Sequence, residues 1–136
     1  MKITDLRIAN IVEHYIEDSQ TWEMSIVNAQ DLVFFEQHPE CFLEHHRPVL
    51  LSSERLSKMM YDDFVSFGDE KYKCFLDSTR NKFISVLFDP FEEDRFNVFL
   101  EYSNNQVIML NPIKYLHELQ NVVFVLAGKE IEVVYE

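Results

Sequence analysis

The sequence predicts an α+β protein, and three observations carry that reading. Phe96, Val98, Leu100 and Tyr102 alternate with Asn97, Phe99 and Glu101. This is the period of two expected of a strand with one face on a core. Tyr115, Leu116, Leu119, Val122, Val123 and Leu126 form a wide apolar stripe at helical spacing, with Lys114, Glu118 and Asn121 on the other side. Strand-like stretches also succeed one another across short turn-rich links, the pattern of antiparallel pairing in sequential order.

Taken in order, Leu6 to Val12, Trp22 to Val27 and Leu32 to Phe35 read as short strands. Asp18-Ser19-Gln20 and Asn28-Ala29-Gln30-Asp31 read as the turns between them, because Asn and Asp side chains bond their own backbone. The segment is a small, strongly curved antiparallel β-unit, and an SH3-like barrel is one form such a unit can take. Pro39 and Pro48 bracket a stretch, Glu40 to Arg47, whose pattern does not choose between helix and strand. Beyond it, Ser52 is placed to cap a helix from about Ser53 to Tyr61, with Glu54 in the first turn and Leu56, Met59 and Met60 at helical spacing. Three β-rich stretches follow, Lys71 to Leu76, Lys82 to Phe88 and Phe96 to Tyr102. The turn Ser103-Asn104-Asn105 leads into a hairpin partner at Gln106 to Leu110. The closing helix is expected from about Pro112 to Ala127, with Asn111 as N-cap and Gly128 in the left-handed stop position. Its stripe is expected to lie across the middle sheet, and Glu130 to Tyr135 to add a last edge strand.

With 136 residues, 47% of them hydrophobic, there is material for one core, so 1–136 is expected as a single domain. Within it, 1–48 is the β-rich part, and 49–136 holds the first helix, the sheet and the closing helix. Twelve Lys and Arg against 24 Asp and Glu give a formal charge of -12. Such a charge opposes generic binding to nucleic acid or to an anionic membrane, and favours a protein partner with a basic surface. Imitation of the phosphate pattern of DNA is a further reading of the same charge, and solubility the plainest. The two cysteines, Cys41 and Cys74, fit a reducing compartment. The N-terminus lacks the apolar run of a signal peptide, and Val122 to Ala127 is too short to span a bilayer, so a cytoplasmic location is expected.

No catalytic, cofactor or metal residue is assigned. His38, Cys41, His45 and His46 have the most metal-like spacing, since imidazole and thiolate are zinc ligands. Adjacent His45 and His46 would point in different directions on a helix or a strand, however, and no second Cys lies nearby, so no metal is expected. Asp89, Glu92, Glu93 and Asp94 could offer oxygen ligands to Mg²⁺, but they lack the spacing of a Ca²⁺ loop and read as a solvated turn. Cys41 or Cys74 could pair with His117 as nucleophile and base only through a contact in space, and two glycines leave no phosphate-cradling loop. His117 and Gln120 could line a groove, although bonding to backbone groups explains them more simply. Trp22, Phe34, Phe35 and Phe42 could form an exposed aromatic patch, although core packing explains aromatics more often. The function expected is non-enzymatic binding through protein–protein contacts. The alternative is a small metal-dependent enzyme or hydrolase using the His38–His46 cluster or the Asp89–Asp94 carboxylates.

The segment Ile113-Lys114-Tyr115-Leu116-His117-Glu118-Leu119-Gln120-Asn121, followed by Phe124, Leu126, Gly128 and Glu130, resembles the closing signature of a family of small hypothetical proteins. That family belongs to Bacteroides-type bacteria, their phages and their mobile elements. The opening Met1 to Val12 and the central Arg47 to Leu56 are similar to the same family, so the three anchors span nearly the whole chain. The chain departs from its pattern where Ala9 replaces a usual Gly, where Ser52-Ser53 replaces Thr and an acidic or proline residue, and where a Gly-Phe after the first helix is missing. The resemblance implies a fold and a genomic setting, an accessory protein of a phage or mobile element, without a mechanism.

Overall fold

The computed structural model of the chain describes residues 1–58, 64–68, 71–77, 79–88 and 95–131. It confirms an α+β architecture with two antiparallel sheets and a C-terminal helix. The described residues fall into two compact units. One takes Met1–Leu50 and Tyr115–Asn121, and the other takes those of Leu51–Lys114 and Val122–Glu136. Against a division after residue 48, the first unit runs on to Leu50, and Tyr115–Asn121 belong with it.

The first unit opens with a 3-10 turn, Ile3–Asp5, and continues through strands β1 (Ile11–Ile16) and β2 (Thr21–Ile26), helices α1 (Ala29–Gln37) and α2 (Pro39–His45), and strand β3 (His46–Pro48). The strands form one antiparallel sheet in the order β2-β1-β3. Three strands and two helices thus stand where an SH3-like barrel was one expectation. Residues Asn28 to Asp31 open a helix rather than making a turn. The Asn28 side chain accepts from the Asp31 N–H at 2.9 Å and the Asp31 carboxylate accepts from the Asn28 N–H at 2.9 Å, so two helix-end donors are satisfied reciprocally. Leu32 to Phe35, expected as a strand, therefore lies inside α1. Leu32 and Phe35, three apart on one helix face, pack on the core of Leu6, Val12, Val27, Phe35 and Phe42. The undecided stretch before Pro48 is both elements in turn, with Pro39 at the first positions of α2 and β3 directly after it.

Leu6 to Val12 does not run as one strand either. Ala9 has φ 77°, a left-handed conformation that breaks the extension, and β1 begins only at Ile11. A side chain with a Cβ is strained there. Ala9→Gly is expected to raise stability by about 0.5 to 1 kcal/mol, the relieved strain outweighing the extra chain entropy of glycine. Chemical denaturation reads this directly, and a loss of stability would refute the assignment of strain.

The second unit holds α3 (Ser53–Lys58) and five strands, β4 (Phe64–Gly68), β5 (Lys71–Phe75), β6 (Lys82–Phe88), β7 (Phe96–Tyr102) and β8 (Val107–Met109). The strands are ordered β4-β5-β6-β7-β8, each antiparallel to its neighbour. β4 was not foreseen; the other four match the expected stretches. The alternation predicted for β7 is realised in its buried Phe96, Val98 and Leu100, and buried rows cross the sheet: Tyr72, Val86 and Val98 in one, Cys74, Ile84 and Leu100 in the next. Ser52 Oγ accepts from the Arg55 N–H at 3.1 Å and so caps α3 as expected. Residues 59–61 of that helix prediction, and 132–135 of the proposed last strand, lie outside the described residues.

The last helix, α4, spans Leu116–Ala127. It stops as predicted, with Gly128 at φ 68° and its N–H on the Phe124 carbonyl at 2.8 Å. It starts later than Asn111-Pro112 suggested. Ile113 exchanges both backbone hydrogen bonds with Phe96 (2.8 and 2.9 Å), which keeps the chain extended past Pro112. The helix is capped instead at Tyr115, whose N–H donates to the Glu118 carboxylate at 2.9 Å. Among the described residues no helix is long and apolar enough to cross a membrane.

Candidate functional site

The first turns of α4 are tied into the N-terminal unit by side chains. Gln120 is fully buried; its Oε1 accepts from the Ile11 N–H at 2.9 Å and its Nε2 donates to the Ala9 carbonyl at 3.3 Å. Asn121 Oδ1 accepts from Arg7 Nε (3.1 Å) and from Asn10 Nδ2 (2.8 Å), while its Nδ2 donates to the Asp5 carbonyl (3.1 Å). Gln120 thus bonds the backbone, the simpler of the two readings. Together with Asn121 it satisfies groups of an irregular opening segment that no ladder reaches.

His117, on the same turn, differs. It is 3% exposed, and its Nδ1 is buried with no hydrogen-bond partner. Its ring stacks on Tyr115, with centroids 5.7 Å apart and planes 10° apart. With Met1, Thr4, Asp5, Tyr115, Glu118 and Asn121 it lines a half-open cleft of about 340 Å³. Burial pushes the His117 pKa down; Glu118 and Asp5 pull it upward, and the Met1 amino group adds to the depression. The folded protein therefore holds this imidazole neutral where the unfolded chain, titrating near 6.5, takes up a proton. The unfolded state binds more protons in that window, so the contribution of His117 is present above the unfolded pKa and is lost as pH falls through it. The thermal midpoint is expected to drop between about pH 7.5 and about pH 5.5, and to drop less in His117→Gln. Equal slopes in the two proteins would refute the assignment.

The sequence candidates are dispersed. His45 Nδ1–H donates to the Cys41 carbonyl (3.2 Å) and its Nε2 lies 3.5 Å from Glu17, contacts that raise its pKa, the carbonyl bond most. His46 Nδ1–H donates to the Phe42 carbonyl (2.9 Å), and its ring lies between Phe42 and His14. His38 packs beside Phe34, and the Cys41 thiol is exposed. Among the described residues no group of three or more His, Cys, Asp or Glu side chains gathers in a way that could hold a metal ion. Asp89, Glu92, Glu93 and Asp94 lie outside those residues. Cys74 is a buried thiol on β5. The aromatic candidates divide: Phe35 and Phe42 are core, stacked at 4.3 Å, Trp22 carries the Arg47 guanidinium over its ring at 4.1 Å, and Phe34 is exposed.

One apolar surface was missed from the sequence. Val107, Ile108 and Met109, the whole of β8, are 54%, 49% and 69% exposed, so apolar side chains on both faces of the strand reach solvent. Alternation would have buried every second residue. Three successive apolar residues with no polar partner in the pattern were the available signal.

These features define an acidic α+β protein whose described residues present a small cleft on one unit and an uncovered apolar strand on the other. Comparison with family models, with curated proteins and with solved structures finds no match for the chain.

Proposed function

We propose that this protein is a non-enzymatic accessory protein that acts by binding another protein, with β8 in the contact. The observation that carries this is the exposure of Val107, Ile108 and Met109 together, because a strand that leaves consecutive large apolar side chains in water gains free energy when a partner covers them. The formal charge of -12 favours a partner with a basic surface, which it would steer and orient. The setting in a phage or mobile element is carried by the resemblance of the opening, central and closing segments alone.

The test places a photo-crosslinking residue at Met109 in the native host, with the same probe at exposed Glu36 as control. A discrete partner of basic composition is expected from the first position and not from the second. With that partner purified, Ile108→Asp is expected to weaken binding by about tenfold or more, as for loss of a central apolar anchor. Binding unchanged in Ile108→Asp would refute the proposal.

A further inference from the structure

His14 on β1 and His46 on β3 are cross-strand partners, and their rings stack at 4.6 Å with planes 11° apart. On its other side the His46 ring stacks on Phe42 at 3.9 Å and 6°, and Phe42 on Phe35 at 4.3 Å and 8°. A column of four near-parallel rings therefore runs from the core of the first unit, where Phe35 and Phe42 are buried, to two half-buried imidazoles. The strand that carries His46 is weakly held. β3 has three residues, and Pro48 has no N–H to give the ladder.

We propose that the His14–His46 pair is a pH-operated latch, which holds β3 on β1 while the rings are neutral and releases it when both are protonated. The His46 Nδ1–H is engaged by the Phe42 carbonyl, so an incoming proton goes to Nε2. Two imidazolium rings in parallel contact repel, and a β-pair with like charges directly opposite is destabilised. The groups facing the pair balance this only in part. From α1, Asp31 favours charge on His46; from the end of α2, His45 opposes it; burial opposes it most. From β2, Glu23 is the cross-strand partner of His14. At the adjacent register position Glu13 and Arg47 form a 2.7 Å ion pair across the same two strands, which holds the latch shut until the second proton arrives.

The chain carries its own reporter. Trp22 is its one tryptophan, and the Arg47 guanidinium over its ring is a β3 group. Release of β3 withdraws that cation and changes Trp22 emission. In the full chain, the imidazole NMR signal of His46 is expected to change in two steps, one for each proton that the stacked pair takes up. The Trp22 fluorescence change should follow the lower step. His14→Gln should leave the His46 signal a single step, and both His14→Gln and His46→Gln should abolish the fluorescence change, whereas His117→Gln should keep it. Amide exchange at Arg47, corrected for its intrinsic pH dependence, should accelerate about tenfold across the lower step in the unmodified chain, a readout that needs no variant to fold. Fluorescence or corrected exchange that stays flat from about pH 7.5 to about pH 5 would overturn the latch, as would a fluorescence step that survives in both glutamine variants.

Discussion

Replacing Phe42 by alanine is expected to cost about 3 to 5 kcal/mol of folding stability, the range for a buried aromatic whose site can collapse only in part. Phe42 is 1% exposed and sits mid-column, stacked on Phe35 at 4.3 Å and on His46 at 3.9 Å. Its removal opens a void between α1 and α2 of the first unit and strips one face from His46. Neither neighbour can close the gap cheaply, because Phe35 is anchored in α1 and His46 is held by the register of β3 on β1. Denaturant titration should show a lower midpoint at unchanged slope. A loss below about 1 kcal/mol would mean that the ring is not packed as described.

Gln120→Leu should be nearly as damaging, although it keeps the side chain's size and raises its hydrophobicity. The carboxamide serves the Ile11 N–H and the Ala9 carbonyl at once, and leucine can serve neither. Two backbone groups left without partners at the start of β1 are expected to cost about 2 to 4 kcal/mol in total. Gln120→Glu separates the two contributions. It keeps an acceptor for the Ile11 N–H, loses the donor to Ala9, and places a carboxylate in a buried position, so it too should be destabilised. Stability unchanged in Gln120→Leu would show that the amide contacts are not made in solution.

These two residues illustrate what could be read along the chain. Phe42 was legible as a hydrophobic residue, but its stretch offered no period long enough to tell helix from strand. Only the contact of α2 with α1 and β3 made it the centre of a ring column. Gln120 lay in a segment whose helical character was plain. Its partners are more than a hundred positions away, and no local pattern reports that an irregular turn at Ala9 needs a carboxamide.

The sequence by itself determined the α+β class, the alternation that buries Phe96, Val98 and Leu100 in β7, the cap at Ser52 and the stop at Gly128. Each of these depends on neighbours within a few positions, where period and capping chemistry act. The tertiary structure decided the rest. Asn28 and Asp31, residues equally suited to a turn or a cap, became a cap because Leu32 and Phe35 had a core to face. Ile113, after a residue well suited to begin a helix, stayed extended because Phe96 offered it two hydrogen bonds. His14 and His46 met as stacked partners, and His117 was buried without a partner for Nδ1, because strand register and helix docking bring together groups that the chain keeps far apart. Local signals set the type of an element; long-range contacts decide where it begins, what it faces and which titratable groups share a surface.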